Sequence, residues 1–253
     1  MKRTSTPLLM ATALTVGCAD DRTPAYPTDT LPTPNGRTVQ VSFFKHASLA
    51  FDIDGRRIYV DPVGSFADYA SLPKADLILI THHHYDHYDP EAVALVSQPG
   101  TRIVCDATTA GLIGEAGGEV WAAVAPGEVL RPFDGLRIET APAYNTTEGH
   151  FQFHPRERGD VGYLLEWDGL RLYVAGDGEN TPEMKALQAV DVAFLPVNQP
   201  YTMTVDQAVD AVRSLRPRIF YPYHYGQVEE RTDLERLRRE LEGITEVRIR
   251  EME

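Results

Sequence analysis

The most distinctive chemistry in the sequence is a cluster of histidines in the first half of the chain. Four of the eight histidines fall within Thr81–His87, which reads Thr-His-His-His-Tyr-Asp-His and directly follows a short apolar run. Side chains two residues apart in an extended strand share a face, so His82 and His84 can bind one cation together. A turn after them lets Asp86 and His87 face a second cation. The order of these donors favours a metal site over a surface histidine patch.

Two further candidate metal ligands stand where predicted strands end. Asp177 follows an apolar run and lies between Gly176 and Gly178, which allow the backbone to approach a ligand closely. A plain Gly-Asp-Gly turn is the alternative, but the histidine cluster favours the ligand. His224 ends the strand predicted from Ile219, although a histidine among tyrosines is, taken alone, more typical of a half-buried imidazole.

These residues must be positioned by two β-rich halves. Alternating apolar residues over 38–60, with Asp54-Gly55 between them, predict a β-meander with a hairpin turn. The apolar run Leu77–Ile80, followed by a helix over 90–96, indicates a sheet covered on its faces. Further strands are predicted at 136–140, 162–166, 170–174 and 192–195, and further helices after Thr181, at 204–215 and at 232–241. The predicted fold class is therefore α/β (α+β), with two packed sheets flanked by helices.

The start of the chain has the layout of a secretory signal. Lys2 and Arg3 precede an apolar run over 8–16, which is followed by a small residue and Cys18. We therefore expect a signal peptide over 1–17, with the Cys18 thiol carrying lipid, in an exported protein of the bacterial cell envelope or periplasm. Cleavage by ordinary signal peptidase, or a cytosolic protein with an apolar N-terminus, is the alternative.

Residues 18–37 hold four prolines among threonines and aspartates, which predicts a semi-extended tether. The folded domain is then expected over 38–253. Cys105 follows apolar residues in a predicted strand and is expected to be a small buried hydrophobic residue.

Composition narrows the function classes. The chain has 253 residues, and 24 Lys and Arg against 37 Asp and Glu give a formal net charge of −13. Such a charge argues against binding nucleic acid or an anionic membrane through bulk electrostatics. No apolar stretch of eighteen residues predicts a membrane-spanning helix, so membrane attachment is expected only through lipid on Cys18.

Taken in order, these motifs resemble the metallo-β-lactamase superfamily of metal-dependent hydrolases. The resemblance spans about residues 38–250 and rests on the Thr-His-x-His-x-Asp-His run, the Ala-Gly-Asp ending at Asp177 and the Tyr-His-Tyr-Gly around His224. The segments Lys45–Ser48 and Val60–Pro62 are similar to the branch that contains ascorbate-6-phosphate lactonase and the phospholipase D acting on N-acyl phosphatidylethanolamine.

The resemblance implies a four-layer αββα sandwich and a cofactor of two zinc ions, with manganese or iron as alternative metals. By position it assigns His82 and His84 to one zinc, Asp86, His87 and His224 to the other, and Asp177 with a hydroxide to both.

One segment departs from the family pattern. Where the superfamily places a third histidine for the first metal, this chain has Asn145, and an amide oxygen is a poorer zinc ligand than imidazole. His150 and His154 follow, and a loop can return either of them to the metal. We favour His154, because a similar His-Pro-basic segment occurs in relatives that resemble this chain; alternatively, His154 or Arg156 contacts substrate.

The expected reaction is hydrolysis of an ester, lactone or phosphodiester by a zinc-bound hydroxide. Asp86 is the catalytic candidate, because its carboxylate can orient the hydroxide and later carry a proton. His46 and Asp61 are candidates for supporting a metal ligand or facing the substrate, or else ordinary polar residues at strand ends. Tyrosines that can line a cleft are Tyr85, Tyr144, Tyr201, Tyr223 and Tyr225.

Other functions remain open at this point. A non-catalytic metal-binding lipoprotein would hold zinc without an open coordination position, and a di-iron redox protein would need an electron-carrier module. The expected partner of the hydrolase is a small-molecule or lipid-like substrate rather than nucleic acid, and neither the substrate nor the oligomeric state follows from the sequence.

Overall fold

The fold is built from two seven-stranded sheets, seen in a computed structural model that describes residues 26–226 and 231–253. The predicted signal peptide over 1–17 and Cys18 lie outside the described residues. The first sheet contains, in spatial order, β1 (Thr28–Pro32), β2 (Thr38–Phe43), β3 (Leu49–Ile53), β4 (Arg56–Val60), β5 (Leu77–Ile80), β6 (Arg102–Asp106) and β7 (Ala122–Val124). The second contains β8 (Val129–Phe133), β9 (Leu136–Pro142), β10 (Val161–Trp167), β11 (Leu170–Val174), β12 (Val192–Pro196), β13 (Ile219–Tyr223) and β14 (Glu246–Val247).

Helices cover the outer faces of both sheets, which completes the αββα sandwich. They are α1 (Pro90–Val96), α2 (Ala107–Glu115), α3 (Pro182–Ala186), α4 (Val205–Leu215) and α5 (Leu234–Glu240). The start of α4 is fixed by a capping box, in which Thr204 and Gln207 bond each other's backbone N–H groups. No helix of the described ranges has the length and apolar character needed to cross a membrane.

The two sheets share one topology. In the first, β1 to β4 pair antiparallel and β4 to β7 pair parallel; in the second, β8 to β11 pair antiparallel and β11 to β14 pair parallel. The predicted turn at Asp54-Gly55 is confirmed as the hairpin β3–β4, and Asp168-Gly169 forms the corresponding hairpin β10–β11. All four turn residues have positive φ, as this tight turn requires.

Strand β5 shows why its sequence reads as a continuous apolar run. Leu77 and Leu79 face the core between the sheets, whereas Ile78 and Ile80 pack in a second core that includes Ala92 of α1. Successive side chains of a strand point to opposite faces, and here each face is covered, so every position must be apolar. This geometry makes β5 rigid up to the point where the histidine cluster begins.

The structure differs from the sequence prediction at the start of the domain. Residues Thr28–Pro32, inside the expected tether, form an edge strand paired with β2. The prolines suggested an unpacked segment, but edge strands tolerate proline, and Pro32 is the last residue of β1. Asp29 also binds Arg250 and Tyr221 near the C-terminus. The folded domain therefore includes β1, ahead of residue 38.

The topology collects the candidate residues along one edge. The carboxyl ends of β5, β11 and β13 lead into His82, Asp177 and His224, and the parallel strands of one sheet end on the same side. The two sheets are joined at this edge, because the Val161 N–H donates to the Thr81 carbonyl at 3.1 Å. The site therefore lies between two rigid layers.

Candidate metal centre

The first donor group consists of three histidines. His82 and His84 leave the end of β5 on one side of the chain, with His82 Nε2 3.1 Å from His84 Nδ1. His154 comes from the loop between β9 and β10, and its ring centroid lies 5.2 Å from that of His82 and 5.0 Å from that of His84. One ligand atom of each lies within 4.8 Å of those of the other two, so the three could hold one ion.

The second donor group contains Asp86, His87 and His224, and the structure adds His46 to it. His87 Nε2 lies 3.1 Å from His224 Nε2, and His46 Nε2 lies 3.0 Å from Asp86 Oδ2. The ring centroids of His46 and His224 are only 3.6 Å apart. The sequence pointed to His46 as a supporting or substrate-facing residue, and the structure brings it within reach of the same ion.

Asp177 lies between the two groups. Its Oδ2 is 2.9 Å from His224 Nε2 and 3.3 Å from His87 Nε2 in the second group, and 3.6 Å from His154 Nε2 in the first. A carboxylate at this position could bridge two ions. The neighbouring Gly178 has a different task from the one expected, because a Cβ on it would lie 2.6 Å from the Tyr144 backbone N. The close approach is to protein backbone rather than to a ligand.

Electrostatics place His82, His84 and Asp177 in the protonation states that metal binding requires. Burial, assisted by the charge of Arg158, lowers the pKa of His84 to about 4, and burial also lowers the pKa of His82. Burial alone would raise the pKa of Asp177, but the charges of His224 and His87 and their hydrogen bonds to Asp177 together outweigh it and hold that pKa well below its usual range. Neutral imidazoles beside an ionised carboxylate are ready-made ligands.

The second group differs from the first, because its carboxylates raise the pKa of two of its histidines. Burial and the charge of His224 lower the pKa of His46 to about 4. Burial would raise the pKa of Asp86, but hydrogen bonds from His224 and His46 lower it below the usual range. The nearby carboxylates overcome burial at His87 and His224 and raise the pKa of each. The two carboxylates thus draw positive charge into this space, whether as protons or as a metal cation.

The donor set fits a resident metal. Lone-pair nitrogens converge to 3.1 Å at both His82–His84 and His87–His224, a contact that is repulsive unless a proton or cation lies between the atoms. Asp177 Oδ1 is buried and has no hydrogen-bond partner among the described residues. Buried carboxylate oxygens are rarely left without a partner, and a cation would supply one.

Asp61 lies behind the second donor group and fixes one of its histidines. It is fully buried, and its Oδ2 accepts hydrogen bonds from His87 Nδ1 at 2.7 Å and from Thr81 Oγ1 at 2.7 Å. Its Oδ1 accepts from the Thr81 backbone N–H at 2.8 Å. A carboxylate on Nδ1 fixes the tautomer that leaves Nε2 free to bind metal, so Asp61 supports a ligand.

The remaining three candidates lie outside the two donor groups. Asn145 donates from Nδ2 to the carbonyls of His150 and Tyr201, at 3.1 and 2.9 Å, and its N–H binds the His154 carbonyl. His150 Nδ1 lies 3.2 Å from Glu179 Oε1. Asn145 and His150 therefore shape the loop that presents His154.

Arg156 points away from the donor groups. It forms an exposed ion pair with Glu183 at 2.6 Å and lies over the Tyr144 ring. It also lines a separate surface depression beside α3. The structure thus gives it contacts that do not involve the cleft at the donor groups.

Sequence reasoning missed several residues that hold the site. Glu179 is buried, and its Oε2 accepts four hydrogen bonds from the backbone and hydroxyls of Thr146 and Thr147. Arg158 bonds Asp160 and contacts both His84 and His154. The contacts of Glu179 with Thr146 and of Arg158 with His84 join residues 33 and 74 positions apart, so no local sequence pattern predicts them.

Asn198 is the missed residue with a readable signal. It follows β12 directly, at the same edge as Asp177 and His224, and its Nδ2 lies 3.3 Å from His224 Nδ1. Its Oδ1 is buried without a partner in the described part of the chain. A histidine that binds metal through Nε2 carries its proton on Nδ1, and turning the Asn198 amide over offers Oδ1 as the acceptor.

Three residues of the site have left-handed backbone conformations. The φ angles are 57° at His46, 46° at Asp61 and 49° at His224. Residues other than glycine rarely adopt this region, and it costs on the order of 1 kcal/mol at each position. The surrounding sheets hold these conformations, which turn each side chain into the site at a strand end.

The donor groups form the floor of an open cleft of about 580 Å³. His84, His154 and His224 line it from the floor, together with Asp86 and Asp177. Its mouth is formed by His83, Tyr85, Phe153 and Tyr201, and His83 lies outside the donor groups. The cleft offers a substrate direct access to the donors.

Comparisons with known proteins agree with this geometry. The family described as a beta-lactamase superfamily domain matches residues 40–224. A UPF0173 metal-dependent hydrolase of Thermococcus onnurineus is 34% identical over 201 residues, which is 74% of this chain and 85% of the relative. A UPF0173 metal-dependent hydrolase of Ignicoccus hospitalis is 30% identical, over 85% of this chain and 95% of the relative.

Solved structures extend the similarity to the fold. The crystal structure of a protein described as a metal-dependent hydrolase from Parabacteroides distasonis is 44% identical, with a TM-score of 0.83, over 90% of this chain and all of that one. Igni18, a metallo hydrolase of Ignicoccus hospitalis, is 27% identical with a TM-score of 0.73, over 85% of this chain and 96% of that one. With its two donor groups at the joined edge of an αββα sandwich, the chain belongs to the metallo-β-lactamase superfamily and, within it, to the metal-dependent hydrolases.

Proposed function

We propose that this hydrolase holds two zinc ions and cleaves an ester, lactone or phosphodiester bond of a small-molecule or lipid-like substrate. The single observation that carries the proposal is the pair of donor groups on either side of Asp177, at the floor of an open cleft. Two ions bridged by a carboxylate can stabilise both the attacking and the leaving oxygen of a hydrolysis. A site that only stores metal has no need of such a cleft.

Each ion has its own set of residues in this proposal. His82, His84 and His154 would hold the first, with Asp177 shared between the two ions. Asp86, His87 and His224 would hold the second, where His46 lies within the same distance. Bound zinc supplies a Lewis acid that lowers the pKa of a water to about 7 and polarises the scissile carbonyl or phosphoryl oxygen.

The chain's own residues then orient the reactants. Asp86, ionised and held by His46 at 3.0 Å, is placed to accept a hydrogen bond from the attacking water and to carry its proton at Oδ. Asp61 keeps the proton of His87 on Nδ1. The buried histidines of the floor exclude bulk water from one side of the cleft.

Histidine-rich donor sets with carboxylates suit zinc, and they also accept manganese or iron. The metal is therefore identified by elemental analysis of the purified protein, with two equivalents of zinc as the expected result. If manganese or iron is found instead, the metal assignment changes and the proposed hydrolase function stands.

The experiment that tests the function uses the metal-loaded full chain against ester, lactone and phosphodiester substrates. We expect turnover that is lost in His84→Ala and Asp177→Ala, together with lost metal. His83→Ala is the matched control for metal content and should keep both metals, because His83 lies in the same histidine run and outside both donor groups. A wild-type chain that binds two metals and hydrolyses no substrate of the panel would support a metal-storing protein instead.

We also propose that the chain is exported and anchored through lipid on Cys18. What supports this is the basic, apolar and small-residue layout of residues 1–18. Mass spectrometry of the N-terminal peptide from bacterial membranes is the test, and an unmodified Cys18 in the soluble fraction contradicts the anchor.

A further inference from the structure

Aromatic side chains surround the mouth of the cleft. Tyr85 is 86% exposed and Tyr201 is 41% exposed, and both line the cleft together with Phe153. The Phe153 and Tyr201 rings meet edge to face with centroids 4.8 Å apart. Large aromatic side chains gathered at the opening of a catalytic cleft, rather than scattered singly, mark a surface that binds an apolar group.

We call Tyr85, Phe153 and Tyr201 the aromatic wall, and the backbone of its Phe153 and Tyr201 part is held in place before any substrate arrives. Asn145 Nδ2 donates to the Tyr201 carbonyl at 2.9 Å and to the His150 carbonyl at 3.1 Å. This amide therefore joins the loop that carries Tyr201 to the loop that carries Phe153. A preformed wall binds a ligand without the entropic cost of ordering a loop.

The charge of the lining gives a second, independent restriction. Within residues 26–226 and 231–253, no lysine or arginine lines the cleft. Arg158 contacts His84 and His154, but its donors are also committed to Asp160 and the Phe153 carbonyl. Lysine and arginine are the side chains that most often bind phosphate oxygens directly. This cleft presents aromatic rings in their place.

We propose that the substrate is an uncharged carboxylic ester, open or cyclic, whose apolar acyl or aromatic part contacts Tyr85, Phe153 and Tyr201. The inference rests on the proposed hydrolase function and restricts its substrate class. Water oxygen forms a bond to the carbonyl carbon, the bond to the alcohol oxygen breaks with its electron pair, and that oxygen takes up a proton. The products are a carboxylic acid and an alcohol.

The test compares substrates that differ in one feature. The metal-loaded full chain is assayed with p-nitrophenyl acetate, p-nitrophenyl hexanoate and bis(p-nitrophenyl) phosphate. We expect kcat/KM for the hexanoate to exceed that for the acetate by about tenfold or more, since four additional methylene groups reach the aromatic wall. The phosphodiester should be the poorest of the three substrates.

Variants test whether the aromatic wall causes the preference for the hexanoate over the acetate. Tyr201→Ala and Tyr85→Ala should each reduce the hexanoate-to-acetate ratio by about five- to tenfold, through KM rather than kcat. Phe151→Ala is the matched control, because Phe151 is 50% exposed in the same loop as Phe153 and does not line the cleft. The hexanoate-to-acetate ratio of Phe151→Ala should equal that of the wild type.

The outcomes separate this inference from the function on which it rests. Preferred hydrolysis of the phosphodiester, or an unchanged ratio in both tyrosine variants, overturns the ester inference and leaves the hydrolase standing. Failure of the metal-loaded chain to hydrolyse any of the three substrates, with two metals bound, counts against both.

Discussion

Replacing Asp61 by asparagine tests how the site controls its own metal affinity. The carboxylate accepts three hydrogen bonds, two from Thr81 and one from His87 Nδ1, each at 2.7 or 2.8 Å. Asparagine keeps the shape but exchanges one acceptor oxygen for a donor NH₂ group. If its oxygen stays on the Thr81 N–H, the NH₂ group faces His87 Nδ1, which must then present a lone pair.

The substitution therefore moves the proton of His87 from Nδ1 to Nε2. With its lone pair on Nδ1, neutral His87 carries its proton on Nε2, the atom that lies 3.1 Å from His224 Nε2 and 3.3 Å from Asp177 Oδ2. A protonated Nε2 cannot bind metal. Carboxylates that support a histidine ligand contribute about 10- to 100-fold in metal affinity, which is about 1.4–2.7 kcal/mol. We expect Asp61→Asn to lose this amount at the second donor group.

The assay is zinc competition against a chromophoric chelator, performed on the full chain. Two binding steps are expected in the wild type, and Asp61→Asn should weaken one step while the step of His82, His84 and His154 keeps its affinity. Asp106→Asn is the matched control. Asp106 is also fully buried and accepts three hydrogen bonds, but all come from Thr108 and Thr109 at the start of α2.

The control should lower the free energy of unfolding and leave both zinc affinities unchanged. Unchanged zinc affinities in Asp61→Asn itself would refute the reasoning, because the carboxylate would then not set the tautomer of His87. Equal losses in both variants would point to general destabilisation instead.

Three further predictions concern other parts of the fold. Glu179→Ala removes the acceptor of four loop hydrogen bonds, so proteolysis within 145–154 should increase and the metal held by His154 should be lost first, as measured by mass spectrometry and metal analysis. Burial raises the pKa of Asp29, but hydrogen bonds from Arg250 and Tyr221 outweigh it, so the pKa in the folded chain lies below 3.8. Asp29→Asn should therefore cost about 1–3 kcal/mol of unfolding free energy at pH 7, and this difference should vanish as the pH falls below 3.8 in denaturant titrations. Burial raises the pKa of the Cys105 thiol to about 12, so iodoacetamide should label the Cys105 peptide at pH 8 only after unfolding; labelling of the native chain would contradict the buried position.

The elements that the sequence predicted well are those whose signals are local. The run Leu77–Ile80 and the helix Pro90–Val96 have the bounds expected, because burial of both strand faces and the Asp89-Pro90 cap are written in consecutive residues. Helix α2 was not predicted, since Gly111 and Gly114 weaken its local signal and the Asp106 cap determines its start. Strand β1 was hidden by prolines, because its stability comes from pairing with β2.

The residues of the site also divide into those with a local sequence signal and those without one. His82, His84 and Asp86 could be assigned from spacing, since a strand followed by a turn fixes where neighbouring residues point. The position of His154 depends on the loop that Asn145 and Glu179 hold together, where Glu179 bonds Thr146 across 33 positions and Asn145 bonds the Tyr201 carbonyl across 56. No spacing rule reaches that far, so the sequence left three candidates for one place.

The left-handed conformations of His46, Asp61 and His224 place backbone strain and function in conflict at these three positions. Glycine adopts these angles freely, so exchanging any of the three for glycine would relieve strain on the order of 1 kcal/mol. The same exchange deletes an imidazole or carboxylate from the centre. Selection for thermal stability alone therefore does not protect the function of these three residues, and libraries built on this chain need an activity screen at these three positions.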